Sequence, residues 1–175
     1  HYGNWEWNTL ISPLAFKAQT LIIYKELTNK SFDTFLKNVR EKSGVKMVTM
    51  RSSFRAIIKH KNELTNTVFA ADQTPAHLEA QILIDFLNQK TLVFYGLEKT
   101  ARATNYPVIF CDLKRVKRGY YAADFKLVTE NPSLEPENAI TKKYFSLLED
   151  RINDEPAYWL WSHKRWKNSP KKNDA

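Results

Sequence analysis

The chain opens on His1, and Glu6 follows five positions later in the run His1-Tyr2-Gly3-Asn4-Trp5-Glu6. An imidazole beside a carboxylate is minimal machinery for activating an alcohol. The ring takes the hydroxyl proton, while the acid fixes its tautomer and stabilises the imidazolium that forms. The spacing by itself is weak evidence, because four histidines and 19 acids supply such pairs by chance, and an ordinary surface histidine satisfies it equally. It also carries a geometric condition. Residues five apart on one helix point about 140° apart, so the two side chains meet only with His1 in a loop ahead of the helix that carries Glu6. A second polar pair, Asp72-Gln73, follows the run Val68-Phe69-Ala70-Ala71. In an α/β sheet the carboxyl end of a strand is where ligands bind, although such residues also serve as turn formers or helix caps. Cations are spread over several segments: Lys25, Arg51 and Arg55, then Lys114-Arg115 and Lys117-Arg118. Solvated faces account for most of them, and any that gather at one rim can hold phosphate or carboxylate. The segment from Pro156 to Lys167 interleaves Tyr158, Trp159, Trp161 and Trp166 with His163, Lys164, Arg165 and Lys167. It reads as a core helix whose Trp159 and Trp161 close the sheet, as an interfacial belt, or as a stacking platform for nucleic acid.

The elements that must position these groups alternate between two periods. A helix through Trp5, Leu10 and Ile11 ends or kinks near Pro13. A short strand is predicted over 20–24, then an amphipathic helix over 31–42 on Phe32, Phe35, Leu36 and Val39, stopped at Gly44. Strand 45–50, helix 51–61 on Phe54, Ile57 and Ile58, and strand 66–71 repeat the pattern. Residues 73–92 carry few regular signals and read as a long loop. Helix 95–105 precedes strands 107–115 and 119–128, joined as a hairpin at Lys117-Arg118-Gly119. A last helix over 136–153 places Ile140, Tyr144, Leu147, Leu148 and Ile152 on one face. The expected class is α/β, a mixed sheet flanked by helices, with one domain over 1–167 and a flexible polar tail over 168–175.

Composition sets the outer limits. With 175 residues and 43% hydrophobic content the chain can furnish a core, and its net charge of +8 calls for an anionic partner. Cys111 is the single cysteine, so no internal disulfide forms. No His/Cys/carboxylate spacing suggests a metal site, and no cofactor is expected. No apolar run approaches 18 residues. Because the chain starts at His without an initiator Met, it is expected to be a fragment whose upstream part is missing.

In this order, the segments resemble the lipid A late acyltransferase (lauroyl/myristoyl acyltransferase) family, itself related to the glycerolipid acyltransferases. His1-Tyr2-Gly3-Asn4-Trp5-Glu6 is similar to that family's catalytic His-x-x-x-x-Asp/Glu box, and Tyr24-Lys25 stands where Tyr-Arg is usual. Ala71-Asp72-Gln73 resembles the family's Ala-Asp-Gln or Pro-Asp-His block after a strand, and Thr100-Ala101-Arg102 through Pro107-Val108 resembles its helix-to-strand passage. Most specific is Pro156-Ala157-Tyr158-Trp159-Leu160-Trp161-Ser162-His163-Lys164-Arg165-Trp166-Lys167, which is similar to the closing Pro-x-x-Tyr-x-Trp-x-His-x-Arg-aromatic-Lys signature. Two departures stand out. Lys25 in place of Arg lacks the bidentate fork, and Phe86-Leu87-Asn88 replaces Phe-Phe-Gly, which predicts a different loop there.

The resemblance implies a glycerolipid-acyltransferase-like α/β fold. It also implies transfer of a fatty acyl chain from a thioester, on acyl carrier protein or coenzyme A, to a hydroxyl of a lipid A precursor. It implies His1 as general base and Glu6 as its orienting acid. Lys25, Arg51, Asp72 and Gln73 are the expected substrate-binding residues. Further expectations are an anionic glycolipid acceptor, a membrane surface as partner and no nucleic acid. The expected location is the cytoplasmic face of the bacterial inner membrane, reached through an upstream helix missing from the chain. Rival readings are the same mechanism on a lysophospholipid or aminoacyl lipid, a basic nucleic-acid-binding module, and a catalytically dead accessory protein at a membrane surface.

Overall fold

A computed structural model describes residues 1–75 and 81–170. The chain folds as two compact units, one spanning Trp5–Ala70 and the other running from Ala71 onward together with His1–Asn4.

The first unit is built on parallel strands. Helix α1 (Trp5–Ala15) leads into β1 (Gln19–Tyr24), α2 (Lys30–Glu41) and β2 (Lys46–Thr49). A 3-10 turn at Met50–Ser52 then opens α3 (Ser53–Lys59), and β3 (Thr65–Val68) closes the unit. The strands pair in the order β2-β1-β3, all parallel, with Ile22 opposite both Met47 and Val68. Leu21, Ile22, Met47 and Val48 are buried, as expected of strands covered on both faces by crossover helices. Helix α2 begins where Asn29 caps it, its side chain accepting the Phe32 N–H at 3.0 Å. It ends toward Gly44, whose φ of +97° suits only glycine well. The predicted amphipathic pattern is there, but its apolar side is turned outward. Phe32 and Phe35 are 51% and 58% exposed, and the buried residue of the helix is Asp33. Asp33 earns its interior place by accepting the Leu27 N–H at 2.8 Å and the Tyr24 hydroxyl at 3.4 Å, which fixes the turn after β1.

The second unit is built on antiparallel hairpins. Strands β4 (Gln81–Phe86) and β5 (Gln89–Phe94) form one, and after α4 (Gly96–Thr104) strands β6 (Val108–Lys117) and β7 (Tyr120–Thr129) form the other. Helix α5 (Ala139–Asp154) follows, and a 3-10 turn at Pro156–Tyr158 starts the tail. The long loop expected over 73–92 is therefore largely the β4–β5 hairpin, with residues 76–80 lying outside the described residues. The hairpin expected at Lys117-Arg118-Gly119 is present, closed by Arg118 and Gly119 between the paired Lys117 and Tyr120. The core gathers Phe86, Val93, Phe110, Phe145, Leu148, Ile152 and Trp159. Phe86 stands edge-on to both Phe145 and Trp159, at centroid distances of 5.0 and 5.9 Å. Within the predicted tail, Asn168 donates to the Pro75 carbonyl and Ser169 accepts the Leu92 N–H. Residues 171–175 lie outside the described residues.

The α/β class is as expected, with parallel and antiparallel strands sorted, among the described residues, into three small sheets. Among the described residues no helix is long and apolar enough to cross a membrane.

Candidate active site

His1 sits in a short segment pinned from both sides. Gly3 N–H donates to the Tyr158 carbonyl at 2.9 Å, and Tyr2 bridges Trp159 in antiparallel fashion. The Tyr2 hydroxyl donates to the Glu155 carbonyl at 2.6 Å, and the Arg151 guanidinium lies over the Tyr2 ring at 5.4 Å. Gly3 has a φ of +62°, which favours glycine, and a Cβ there would stand a tight 3.2 Å from the Leu113 carbonyl oxygen. Two residues of loop are thereby held like a strand end, and the imidazole projects from a fixed base.

The imidazole meets Asp72. His1 Nδ1 lies 2.7 Å from Asp72 Oδ1, and the backbone nitrogen of His1 lies 2.5 Å from Oδ2. That nitrogen donates in either covalent form, ammonium or peptide amide. The Trp159 indole N–H donates to the same Oδ2 at 3.1 Å. Asp72 is only 3% exposed, so its charge is held by these donors in place of water. An ionised carboxylate only accepts. Nδ1 must therefore carry the proton, which leaves the lone pair of the neutral ring on Nε2.

The tail that supplies Trp159 also clamps the residues after Asp72. Thr74 N–H donates to His163 Nε2 at 3.0 Å, and the Thr74 hydroxyl donates to the Arg165 carbonyl at 2.5 Å. Burial, together with the nearby Lys167 charge, holds the His163 pKa below the usual histidine value, in keeping with a ring that accepts a hydrogen bond. Arg165 is 1% exposed. Its Nη2 donates to the Leu92 carbonyl at 2.9 Å, and its guanidinium lies 5.8 Å from the Phe145 ring centroid. Burial pushes its pKa down to about 10, with the Asp72 charge opposing the fall. Arg165 remains a cation at neutral pH and balances the buried carboxylate at longer range.

The other residues singled out from sequence fall in the first unit. Glu6, in the first turn of α1, forms a two-pronged ion pair with Arg40 of α2, Nε to Oε2 at 3.2 Å and Nη2 to Oε1. The same guanidinium lies 5.4 Å from the Trp5 ring centroid. Lys25 and Arg51 leave the ends of β1 and β2, whose last residues Tyr24 and Thr49 are paired. Both cations are exposed at one carboxyl edge of a parallel sheet, the usual place for a ligand in such a fold. Gln73 is half-buried beside Asp72 in the second unit.

The structure thus brings His1 and Asp72 together, and gives Glu6 to Arg40. Sequence reading did not find Arg40, nor the contacts of Trp159 and His163 with the Asp72 segment. The only signal for the latter was the dense tail signature itself. Among the described residues no group of three His, Cys, Asp or Glu side chains could hold a metal ion.

No curated protein matches the chain. A family model does, that of the bacterial lipid A biosynthesis acyltransferases, and it covers residues 1–168, almost the full length. The order of segments first noticed as a resemblance is therefore a family likeness over both units. The chain belongs to the bacterial lipid A biosynthesis acyltransferases, enzymes that move an acyl group from a donor to a lipid acceptor.

Proposed function

We propose that His1 is the general base of this transferase and that Asp72 is the carboxylate that orients it. The observation that carries this reading is the 2.7 Å contact from His1 Nδ1 to the buried Asp72, which leaves Nε2 as the basic nitrogen. Nε2 takes the proton of the acceptor hydroxyl as its oxygen bonds to the thioester carbonyl carbon. The C–S bond then breaks, and the imidazolium returns the proton to the departing thiolate. The products are an ester and a free thiol, with no acyl-enzyme on the path. Asp72 stabilises the imidazolium while that charge exists.

The donor is an acyl thioester on acyl carrier protein or coenzyme A, and the acceptor is an anionic glycolipid, a precursor of lipid A. A charge of +8 suits an acidic carrier and a phosphorylated acceptor. Lys25 and Arg51, exposed at one sheet edge, and Gln73 beside Asp72, are the proposed substrate contacts. The enzyme works at the cytoplasmic face of the bacterial inner membrane, in keeping with the outward apolar residues of α2.

The His-x-x-x-x-Glu box offers Glu6 as a carboxylate for the same imidazole. In its own unit Glu6 is engaged by Arg40, and its influence on turnover runs through that pair. Single-turnover acyl transfer separates the roles. His1→Ala is expected to abolish transfer. Asp72→Asn should lower the rate by about 10²–10⁴-fold, the scale of losing the orienting acid of a triad, and Glu6→Gln by about tenfold. Full activity in Asp72→Asn would remove Asp72 from this role, and full activity in His1→Ala would end the reading.

A further inference from the structure

The tip of the β6–β7 hairpin carries four cations, and the structure treats them differently. Lys114 is ion-paired with Asp124 at 2.8 Å, and Lys117 lies over the Tyr120 ring at 4.2 Å. Arg115 and Arg118 have no ion pair among the described residues. Both line a concavity of about 240 Å³, together with Gly3, Asn4, Tyr121 and Tyr158. Arg115 faces Tyr121 across the hairpin, and cross-strand partners point to the same side of the sheet. Arg118 is one of the two residues that close the turn. Asn4 closes the other wall, its amide donating to the Tyr121 hydroxyl at 3.1 Å.

No acidic residue lines this space among the described residues, and two arginines share it with two tyrosines, an asparagine and a glycine. Leaving two permanent cations side by side costs Coulomb energy unless an anion joins them, and phosphate matches the planar fork of arginine. The volume lies below the ~300–1,000 Å³ of pockets that enclose a drug-sized ligand, which suits a headgroup and not an acyl chain. Gly3 and Asn4 in its wall are two and three residues from His1, so their Cα atoms lie no more than about 8 and 11 Å from that of His1 at ~3.8 Å per residue.

We propose that Arg115 and Arg118 form a phosphate subsite for the glycolipid acceptor, holding a sugar phosphate while the hydroxyl reaches His1. The proposal rests on His1 being the base. The reach favours the acceptor, because its sugar phosphate and its reacting hydroxyl are separated by a short run of bonds. The phosphodiester of a pantetheine donor is separated from its thioester by the whole arm.

The test compares the full chain with Arg115→Gln/Arg118→Gln on a phosphorylated glucosamine-disaccharide lipid and on its dephosphorylated counterpart, with one acyl thioester donor. KM for the phosphorylated acceptor should rise roughly 10- to 100-fold, the worth of one or two charge-assisted hydrogen bonds. Turnover at saturation, KM for the donor and KM for the dephosphorylated acceptor should be unchanged. Arg115→Lys/Arg118→Lys should recover part of the loss. Equal losses on both acceptors, an unchanged KM, or a rise confined to the donor would each overturn the subsite. Binding of the phosphorylated lipid in detergent micelles is titrated in parallel, without turnover. If the unaltered chain acylates neither lipid, the catalytic reading fails, and the titration alone still decides the subsite: weaker binding by the Gln pair upholds it, and equal binding removes it. Both arginines are exposed, so the substitutions leave the core intact.

Discussion

Asp72 receives the His1 ring, the His1 backbone nitrogen and the Trp159 indole, so three donors converge on one buried carboxylate. Its position in turn depends on His163, which accepts the Thr74 N–H two residues further on. That bond needs a neutral ring, and it gives the clamp an acid sensitivity whose sign is fixed. The folded state holds the His163 pKa below the unfolded value near 6.5. Between those two values the unfolded chain binds more protons than the folded one. This contribution to stability is therefore complete above about pH 6.5 and is lost as the pH falls toward the folded pKa. In His163→Gln the side-chain oxygen still accepts from Thr74 and nothing titrates there. Thermal melts of the two proteins between pH 7.5 and 5.5 should show the unaltered chain losing more of its Tm on acidification. Parallel curves would show that His163 does not carry this dependence. Of these residues, sequence marked His1 by its box and Asp72 by its place after a strand. It could not pair them, because 71 positions separate the two and no local period connects positions so far apart.

Element placement was readable wherever a period ran long enough. The helices over 31–42 and 136–153 and the β6–β7 hairpin were expected and are present, with ends shifted by a few residues. The β4–β5 hairpin was missed for a specific reason. Its two-residue turn is Leu87-Asn88, both at positive φ, 49° and 58°. Turns of that kind announce themselves through Asn-Gly or Asp-Gly, and a leucine in the left-handed region gives no such signal. The start of α5 holds a second feature hidden from sequence. Asn138 precedes the helix at φ 67° without a side-chain cap, and Glu98 of α4 takes over that task. Its Oε2 accepts the Thr141 N–H at 2.9 Å and the Thr141 hydroxyl at 2.6 Å, at 0% exposure. A carboxylate at a helix N-terminus also meets the positive end of the helix dipole. Glu98→Ala would leave the Thr141 amide buried without its acceptor, at a cost of about 1–3 kcal/mol. Glu98→Gln keeps an acceptor oxygen and should lose less. Denaturant midpoints check the order of the two, and an alanine variant as stable as the unaltered chain would show that α5 does not depend on this cap.

Across the whole molecule, positive charge and outward apolar residues occur together in the unit that carries the parallel sheet. On α2, Phe32, Phe35 and Val39 are exposed at helical spacing, with the first two rings stacked at 6.1 Å. On α3, Phe54 and Ile58 are exposed beside Arg55 and Lys59, and Arg51 lies just ahead of them. Single exposed apolar side chains are ordinary, but a stripe along one helix face needs something to cover it. An anionic lipid surface would accept both kinds of group. Phenylalanine gains about 1.5–3 kcal/mol on full burial, and each nearby cation adds about 1 kcal/mol at an acidic leaflet. On the proposed location, the +8 charge would direct the chain to acidic membranes, and the aromatic residues would hold it there. Flotation with vesicles makes the distinction. The unaltered chain should rise with phosphatidylglycerol-containing vesicles and much less with purely zwitterionic ones, and added salt should release part of it. Phe32→Ser/Phe35→Ser should lower the bound fraction by roughly tenfold or more without lowering Tm, since both side chains are about half exposed already. Undiminished flotation of that variant would remove α2 from the membrane contact. Equal binding to neutral vesicles would remove the electrostatic half of the argument and leave the apolar stripe as the whole of it.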